Sequence, residues 1–201
     1  MIRSLIFDLG KVIVPFDFSR GYREMEELSG IPAADIPKRI GATDLVIRFE
    51  TGLVEPADFV KQLSDLLGLR VDYDRFCEIW SSIFLPDILI PDAMLESLAN
   101  RYRLVLLSNT NAIHFGMIRE RYSFVRHFHD LVLSHEVKAM KPSPAIFREA
   151  VARAGCAAGE CFFTDDIAAY VEAARKEGID AEQFVSLEKL QLDLRARGIE
   201  W

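Results

Sequence analysis

An acid stands directly behind a short apolar run near the start of the chain: Ser4-Leu5-Ile6-Phe7 is followed by Asp8. A bare charge beside a buried run is costly, so Asp8 needs a cation, a hydrogen-bond partner or solvent. A nucleophile, a metal ligand or a capping acid would each satisfy that need. A second run, Cys161-Phe162-Phe163-Thr164, ends in two adjacent acids, Asp165-Asp166. Neighbouring carboxylates repel, and a hard divalent ion relieves them; Mg²⁺ takes one or two protein carboxylates together with phosphate oxygens. A third run, Leu104-Val105-Leu106-Leu107, stops at Ser108-Asn109-Thr110, small polar groups that can donate to phosphate oxygens or form a turn. Lys141, restrained by the following Pro142, adds a cation able to balance such acids.

These residues need elements that bring them together. Apolar runs this short, cut off by polar residues, read as buried parallel strands. Leu131-Val132-Leu133-Ser134 and the weaker Gln183-Phe184-Val185 are two more candidates. Helical patterns alternate with them over 93–99, 145–154 (stopped by Gly155) and 170–178 (stopped by Gly178). Alternation of this kind predicts an α/β chain with a parallel sheet, and ligands bind beyond the carboxyl ends of its strands. Asp8, Ser108 and Asp165-Asp166 all fall at such ends.

The stretch from Phe16 to Leu89 breaks the alternation. Phe59–Leu67 and Phe76–Trp80 carry apolar residues at helical spacing, and Glu55-Pro56-Ala57-Asp58 has the composition of a helix start. We expect a Rossmann-like core from 1–15 and 90–201, with residues 16–89 forming a small helical cap. Arg48-Phe49-Glu50-Thr51-Gly52 reads as a turn between cap helices; Glu50 or Arg48 could face the substrate, but ordinary surface charges are the favoured reading.

Composition narrows the function classes. The formal net charge of -7 over 201 residues disfavours a nucleic-acid partner. No apolar run reaches membrane length, and the opening apolar stretch is cut at Asp8, too early for a secretory signal. Cys77, Cys156 and Cys161 are odd in number and lack a CxxC spacing, so reduced thiols in a cytoplasmic protein are expected. Of the four histidines, His127 and His129 would face one way if they lay on a strand, but no third metal ligand accompanies them.

The four segments Leu5-Ile6-Phe7-Asp8-Leu9-Gly10, Val105-Leu106-Leu107-Ser108-Asn109, Lys141-Pro142 and Phe162-Phe163-Thr164-Asp165-Asp166, in this order, resemble the haloacid dehalogenase-like hydrolase superfamily. The resemblance is strongest to its small bacterial sugar-phosphate phosphatases, such as those acting on glucose 1-phosphate. It implies a three-layer Rossmann-like core with a cap inserted after the first motif, and Mg²⁺ as cofactor. It implies that Asp8 attacks phosphorus to form an aspartyl-phosphate and that Asp8, the Gly10 carbonyl and Asp166 hold the metal. Asp165 would support them from behind. Ser108 and Asn109 would bind the transferring phosphoryl group, and Lys141 would neutralise phosphate and Asp8. The expected substrate is a small phosphorylated metabolite, with a sugar phosphate the leading example.

Two positions depart from the pattern. Where many members carry an acid that protonates the leaving group, this chain has Gly10; adjacent Lys11 is a weak substitute. Tyr170 stands where relatives often carry Asn or Asp, and we expect it to pack. Two other readings differ in chemistry. A metal-independent 2-haloacid dehalogenase would use the same Asp, and Arg39 is its weak candidate for a substrate carboxylate. A degenerate member would bind a phosphorylated ligand or a protein without turnover.

Overall fold

The computed structural model describes all 201 residues. Five parallel strands form one sheet in the order β3-β2-β1-β4-β5: β1 Ser4–Phe7, β2 Arg103–Ser108, β3 Asp130–Leu133, β4 Cys161–Asp165 and β5 Asp180–Gln183. The two outer strands lie slightly off the expected segments: Ser134 opens a helix, and Phe184-Val185 fall after β5. The central strands are apolar throughout because both sheet faces are covered. Leu5, Phe7, Leu104, Leu106 and Phe162 point to one face, under helices α6 (Asp92–Ala99), α7 (Ala112–Arg121) and α11 (Leu187–Ala196). Ile6, Val105, Leu107 and Phe163 point to the other, under α9 (Pro144–Ala154) and α10 (Ala168–Lys176). The result is the expected three-layer α/β arrangement. Truncating Phe7, fully buried between β2 and β4, would cost about 3–5 kcal/mol.

Residues between β1 and β2 form the helices α1 Phe18–Ser29, α2 Ile36–Gly41, α3 Leu45–Glu50, α4 Pro56–Leu67 and α5 Tyr73–Ser81. Local chemistry delimits them. Asp17 caps α1 by accepting from the Ser19 N–H, and Pro56 occupies the first turn of α4, where its missing N–H costs nothing. Their apolar faces form a separate cluster around Phe49, Phe59, Phe76 and Trp80. The chain enters and leaves this unit side by side: Asp17 N–H donates to Ile83 O, Leu85 N–H to Pro15 O and Leu89 N–H to Ile13 O.

The helical unit touches the core in two places. Trp80 on α5 stacks on His114 of α7 with ring centroids 5.3 Å apart, and His114 Nε2 lies 2.9 Å from Trp80 O. On the far side, the turn after α3 meets the short helix α8 (Ser134–Val137). There Lys138 Nζ donates to Gly52 O at 2.5 Å. Gly52 has φ +63°, and a Cβ at this position would lie 2.0 Å from His135 O, so only glycine permits this approach.

Candidate active site

The strand register assembles the site. Phe7 pairs with Leu106 on one side and Thr164 on the other, so Asp8, Leu107 and Asp165 emerge level at the carboxyl ends of the three central strands. The Asp8 N–H still donates to Thr164 O, which extends the ladder to the acid itself. Lys141 follows the short helix α8 and reaches this point from the loop before α9. Its Nζ is 2.6 Å from Asp8 Oδ1, 2.5 Å from Asp165 Oδ2 and 3.2 Å from Leu107 O. Aromatic faces flank it: Tyr170 at 5.3 Å and Phe163 at 5.7 Å. Tyr170 therefore packs against the ammonium, where a cation–π contact adds to the ion pairs.

Burial sharpens the electrostatics. Asp8, Lys141 and Asp165 are buried. Burial raises the Asp8 pKa, Lys141 opposes this and Asp165 reinforces it, leaving Asp8 above its ordinary range. Burial alone would push the Lys141 ammonium down, but Asp8 and Asp165 outweigh it and hold the pKa above its usual value. For half-buried Asp166, burial and then Asp165 raise the pKa, against the pull of Lys11 and Lys141.

Asp165 and Asp166 differ in what they have left to offer. Asp165 is fully buried, with one oxygen on Lys141 and the other accepting from the Ile167 N–H at 2.8 Å. Asp166 has no such side-chain commitments and is more open. One oxygen from each of Asp8, Asp165 and Asp166 falls within a 4.8 Å cluster. Three carboxylates face one ammonium, and the residual negative charge and all-oxygen donor set suit a hard divalent cation.

Ser108 is buried at the end of β2. Asn109, expected on the phosphoryl group, is largely engaged elsewhere. Its Oδ1 accepts from Lys141 N–H at 2.8 Å and its Nδ2 donates to Lys141 O at 3.0 Å. This two-point clasp positions the Lys141 backbone and leaves one amide hydrogen of Asn109 uncommitted. The Ser108-Asn109 segment by itself gives no hint of such a contact, because Lys141 is 32 residues further along the chain.

A cavity of about 350 Å³ opens from Gly10, Ser108 and Asn109 toward the helical unit. Its walls are mostly apolar. One of its features lay outside the sequence reading, and a second was only the lesser alternative there. First, the space a side chain at position 10 would need is filled: a Cβ there would lie 2.8 Å from Phe16 Cε1. The Lys11 ammonium lies 5.0 Å over the same ring. Second, Glu50 lines the cavity instead of lying on the open surface, and burial raises its pKa to about 7. The five-residue stretch around it is not simply a turn, since Arg48 and Glu50 belong to the last turn of α3. Arg48 pairs with Asp44 at 3.9 Å, an exposed contact as expected.

The histidine pair is dispersed. His127 closes a 3₁₀ turn and lies 3.2 Å from Asp92, while His129 Nδ1 accepts from the Leu104 N–H. They do not share a strand face. His114, also on the cavity wall, is held neutral: burial lowers its pKa to about 4 against the opposing Trp80 carbonyl contact. Arg39 is exposed on α2.

A parallel sheet between two helical layers and a strand-end cluster of three acids and one lysine define the class: a three-layer α/β fold with a metal-ready carboxylate site. The family model for haloacid dehalogenase-like hydrolases matches residues 2–178, and the chain belongs to that family. It is 26% identical over 189 residues to a D-ribitol-5-phosphate phosphatase of Bacteroides thetaiotaomicron, covering 91% of this chain and 92% of that one. It is 26% identical over 193 residues to phosphatase MT3486 of Mycobacterium tuberculosis, covering 90% and 86%. A haloacid dehalogenase family enzyme from Bacteroides thetaiotaomicron, solved with magnesium and inorganic phosphate, superposes with a TM-score of 0.82 at 27% identity, covering 93% and 96%.

Proposed function

We propose that this chain is a Mg²⁺-dependent phosphomonoesterase that hydrolyses a small phosphorylated metabolite through an aspartyl-phosphate on Asp8. The observation that carries this reading is the Asp8–Lys141–Asp165 cluster with Asp166 beside it, at the ends of the central strands. Asp8, the Gly10 carbonyl and Asp166 would hold Mg²⁺, which neutralises charge on the phosphoryl oxygens when bound. Lys141 fixes Asp8 Oδ1 and leaves Oδ2 to attack phosphorus. The bond from phosphorus to the leaving oxygen breaks as the Asp8–phosphorus bond forms, and the leaving oxygen takes its proton from water, since position 10 carries no acid. Water then attacks phosphorus, the aspartyl bond breaks, and inorganic phosphate leaves with Asp8 regenerated. Ser108 Oγ and the free Asn109 amide hydrogen donate to the phosphoryl oxygens. Asp165 anchors Lys141 from behind. This is positioning and charge stabilisation joined to covalent catalysis, which splits one displacement into two.

The named activity of the Bacteroides relative supports a polyol or sugar phosphate as substrate. Residues 16–89 serve as the cap that encloses the leaving group. Three free thiols fit the reducing cytoplasm, and no helix is long and apolar enough to cross a membrane.

The test is hydrolysis of p-nitrophenyl phosphate and ribitol 5-phosphate with Mg²⁺ and with chelator, beside chloropropionate. Mg²⁺-dependent phosphate release is expected. Chloride release without metal would instead establish a dehalogenase, and turnover of none of these would leave a binding protein.

A further inference from the structure

Glu50 is the acid in the cavity that the phosphoryl chemistry does not use. It closes α3 and lines the cavity whose floor carries Ser108 and Asn109. No hydrogen bond or ion pair from the protein reaches its carboxyl, and the only influence on its ionisation is burial, which raises the pKa to about 7.

Several of the other polar groups around it are committed, although Trp80 Nε1 has no partner and no hydrogen bond holds the Tyr22 phenol. His114 is shared between Trp80 O and Asn111, and Asn109 clasps Lys141. Thr43 Oγ1 donates to Ile40 O. Most of the remaining wall is apolar, with Phe18, Tyr22 and Trp80 supplying aromatic surface. A buried carboxyl without a partner is costly unless a ligand completes it. The cavity thus presents one carboxyl in the same lining as Ser108 and Asn109, with mostly apolar faces around it.

We propose that Glu50 is a specificity-determining residue, accepting hydrogen bonds from hydroxyls on the leaving group and selecting a short polyol or sugar phosphate with one hydroxyl cluster and an apolar flank. This deepens the phosphatase reading and rests on it. A carboxylate can accept from two adjacent hydroxyls at once, and the carbon-bearing side of the same molecule would lie on the aromatic wall. A leaving group hydroxylated on every side would set most of its remaining hydroxyls against apolar wall.

The experiment compares kcat/KM for a linear pentitol 5-phosphate with that for n-pentyl phosphate, with saturating Mg²⁺, in wild type, E50A and E50Q. The alkyl ester has the same chain length and no hydroxyls. The wild-type preference for the pentitol ester should fall about 10- to 100-fold in E50A, the expected loss of hydrogen bonds to a buried acid. E50Q, which keeps shape and one acceptor, should recover part of it. A preference unchanged within about twofold in both variants overturns the proposal, as does an equal loss against both esters. Replacement of both esters by phosphoethanolamine as the only Glu50-sensitive substrate would also overturn it, since Glu50 would then be reading a cation. If wild type hydrolyses no phosphate ester with Mg²⁺, the phosphatase reading itself fails, and that result is distinct from any change in preference.

Discussion

Replacing Glu50 with glutamine removes a charge that the cavity wall holds without a protein partner, and the stability consequence depends on pH. Burial moves the carboxyl from an ordinary 4.5 to about 7. Between those values the unfolded chain is ionised while the folded chain keeps its proton. The folded state then binds more protons, so stability falls as pH rises through this window. Below about pH 4.5 both states are protonated and nothing is lost. Above about pH 7 the folded chain must carry the buried charge. At about 1.4 kcal/mol per pH unit, the cost reaches roughly 3 kcal/mol, an upper value because water entering the cavity would share the charge. Glutamine carries no such cost. For a chain of this size, 1 kcal/mol moves Tm by about 2–4 °C. Metal-free E50Q should therefore melt close to wild type at pH 5 and up to about 6–12 °C above it at pH 8. Scanning calorimetry or thermal circular dichroism at the two pH values measures the difference. Equal offsets at both pH values, or a lower Tm for E50Q at pH 8, would show that Glu50 is solvated or paired and refute the reasoning.

Asp8→Asn should reduce Mg²⁺-dependent phosphate release by at least about 10³-fold without loss of the circular dichroism spectrum, since shape is kept and the nucleophile is not; substantial residual turnover excludes covalent catalysis by Asp8. Asp166→Ala should raise the Mg²⁺ concentration for half-activation at least about tenfold with little change in Tm, whereas Asp165→Ala should chiefly lower Tm, because it removes one of the two carboxylates on the buried Lys141 and the acceptor of the Ile167 N–H. Metal titration and melting of both variants check this, and the reverse pattern would exchange the two roles. Lys141→Met leaves Asp8 and Asp165 buried without their cation, so urea unfolding should show a loss of about 3–5 kcal/mol together with loss of activity; a loss under about 1 kcal/mol would contradict the burial of the cluster. With no acid at position 10, kcat across aryl phosphates should depend steeply on phenol acidity, as general acid help is worth about 10²–10⁴-fold. A flat dependence, with single-turnover data showing that phosphoryl transfer limits, would sink that idea. Gly10→Asp is a fair complement only when joined to Phe16→Ala, since the ring stands 2.8 Å from the new Cβ.

What could be read along the chain was whatever depends on local patterning. Short apolar runs ending in acids or hydroxyls announced buried strands, because a strand covered on both faces has no polar side. Asp8, Ser108 and Asp165-Asp166 were legible for the same reason: a polar group at the end of such a run lies at the carboxyl edge of a parallel sheet; Lys141, in a loop, was legible only through the ordered motifs it shares with the family. The break between Phe16 and Leu89 marked the inserted helices through their spacing. The outer strands were less well bounded, as Asp180–Gln183 begins with an acid and alternates in burial at the sheet edge.

Only the tertiary structure decided how distant residues meet. Asn109 clasps Lys141 across 32 residues, a contact that depends on β2 and the loop before α9 lying side by side. That Asp165, rather than the adjacent Asp166, reaches Lys141 follows from which carboxyl the β4 ladder turns inward. Phe16 takes the space beside Gly10 because the chain folds back after Val14, and nothing in either residue type predicts it. Glu50 has the look of a surface charge in a polar turn. It becomes a half-buried acid without a protein partner on the cavity wall because α3 is carried toward Ser108 and Asn109 by the docking of Gly52 on Lys138 and of Trp80 on His114. Hydrophobic periodicity reports which face of an element is covered; it holds no record of what the neighbouring element places opposite it.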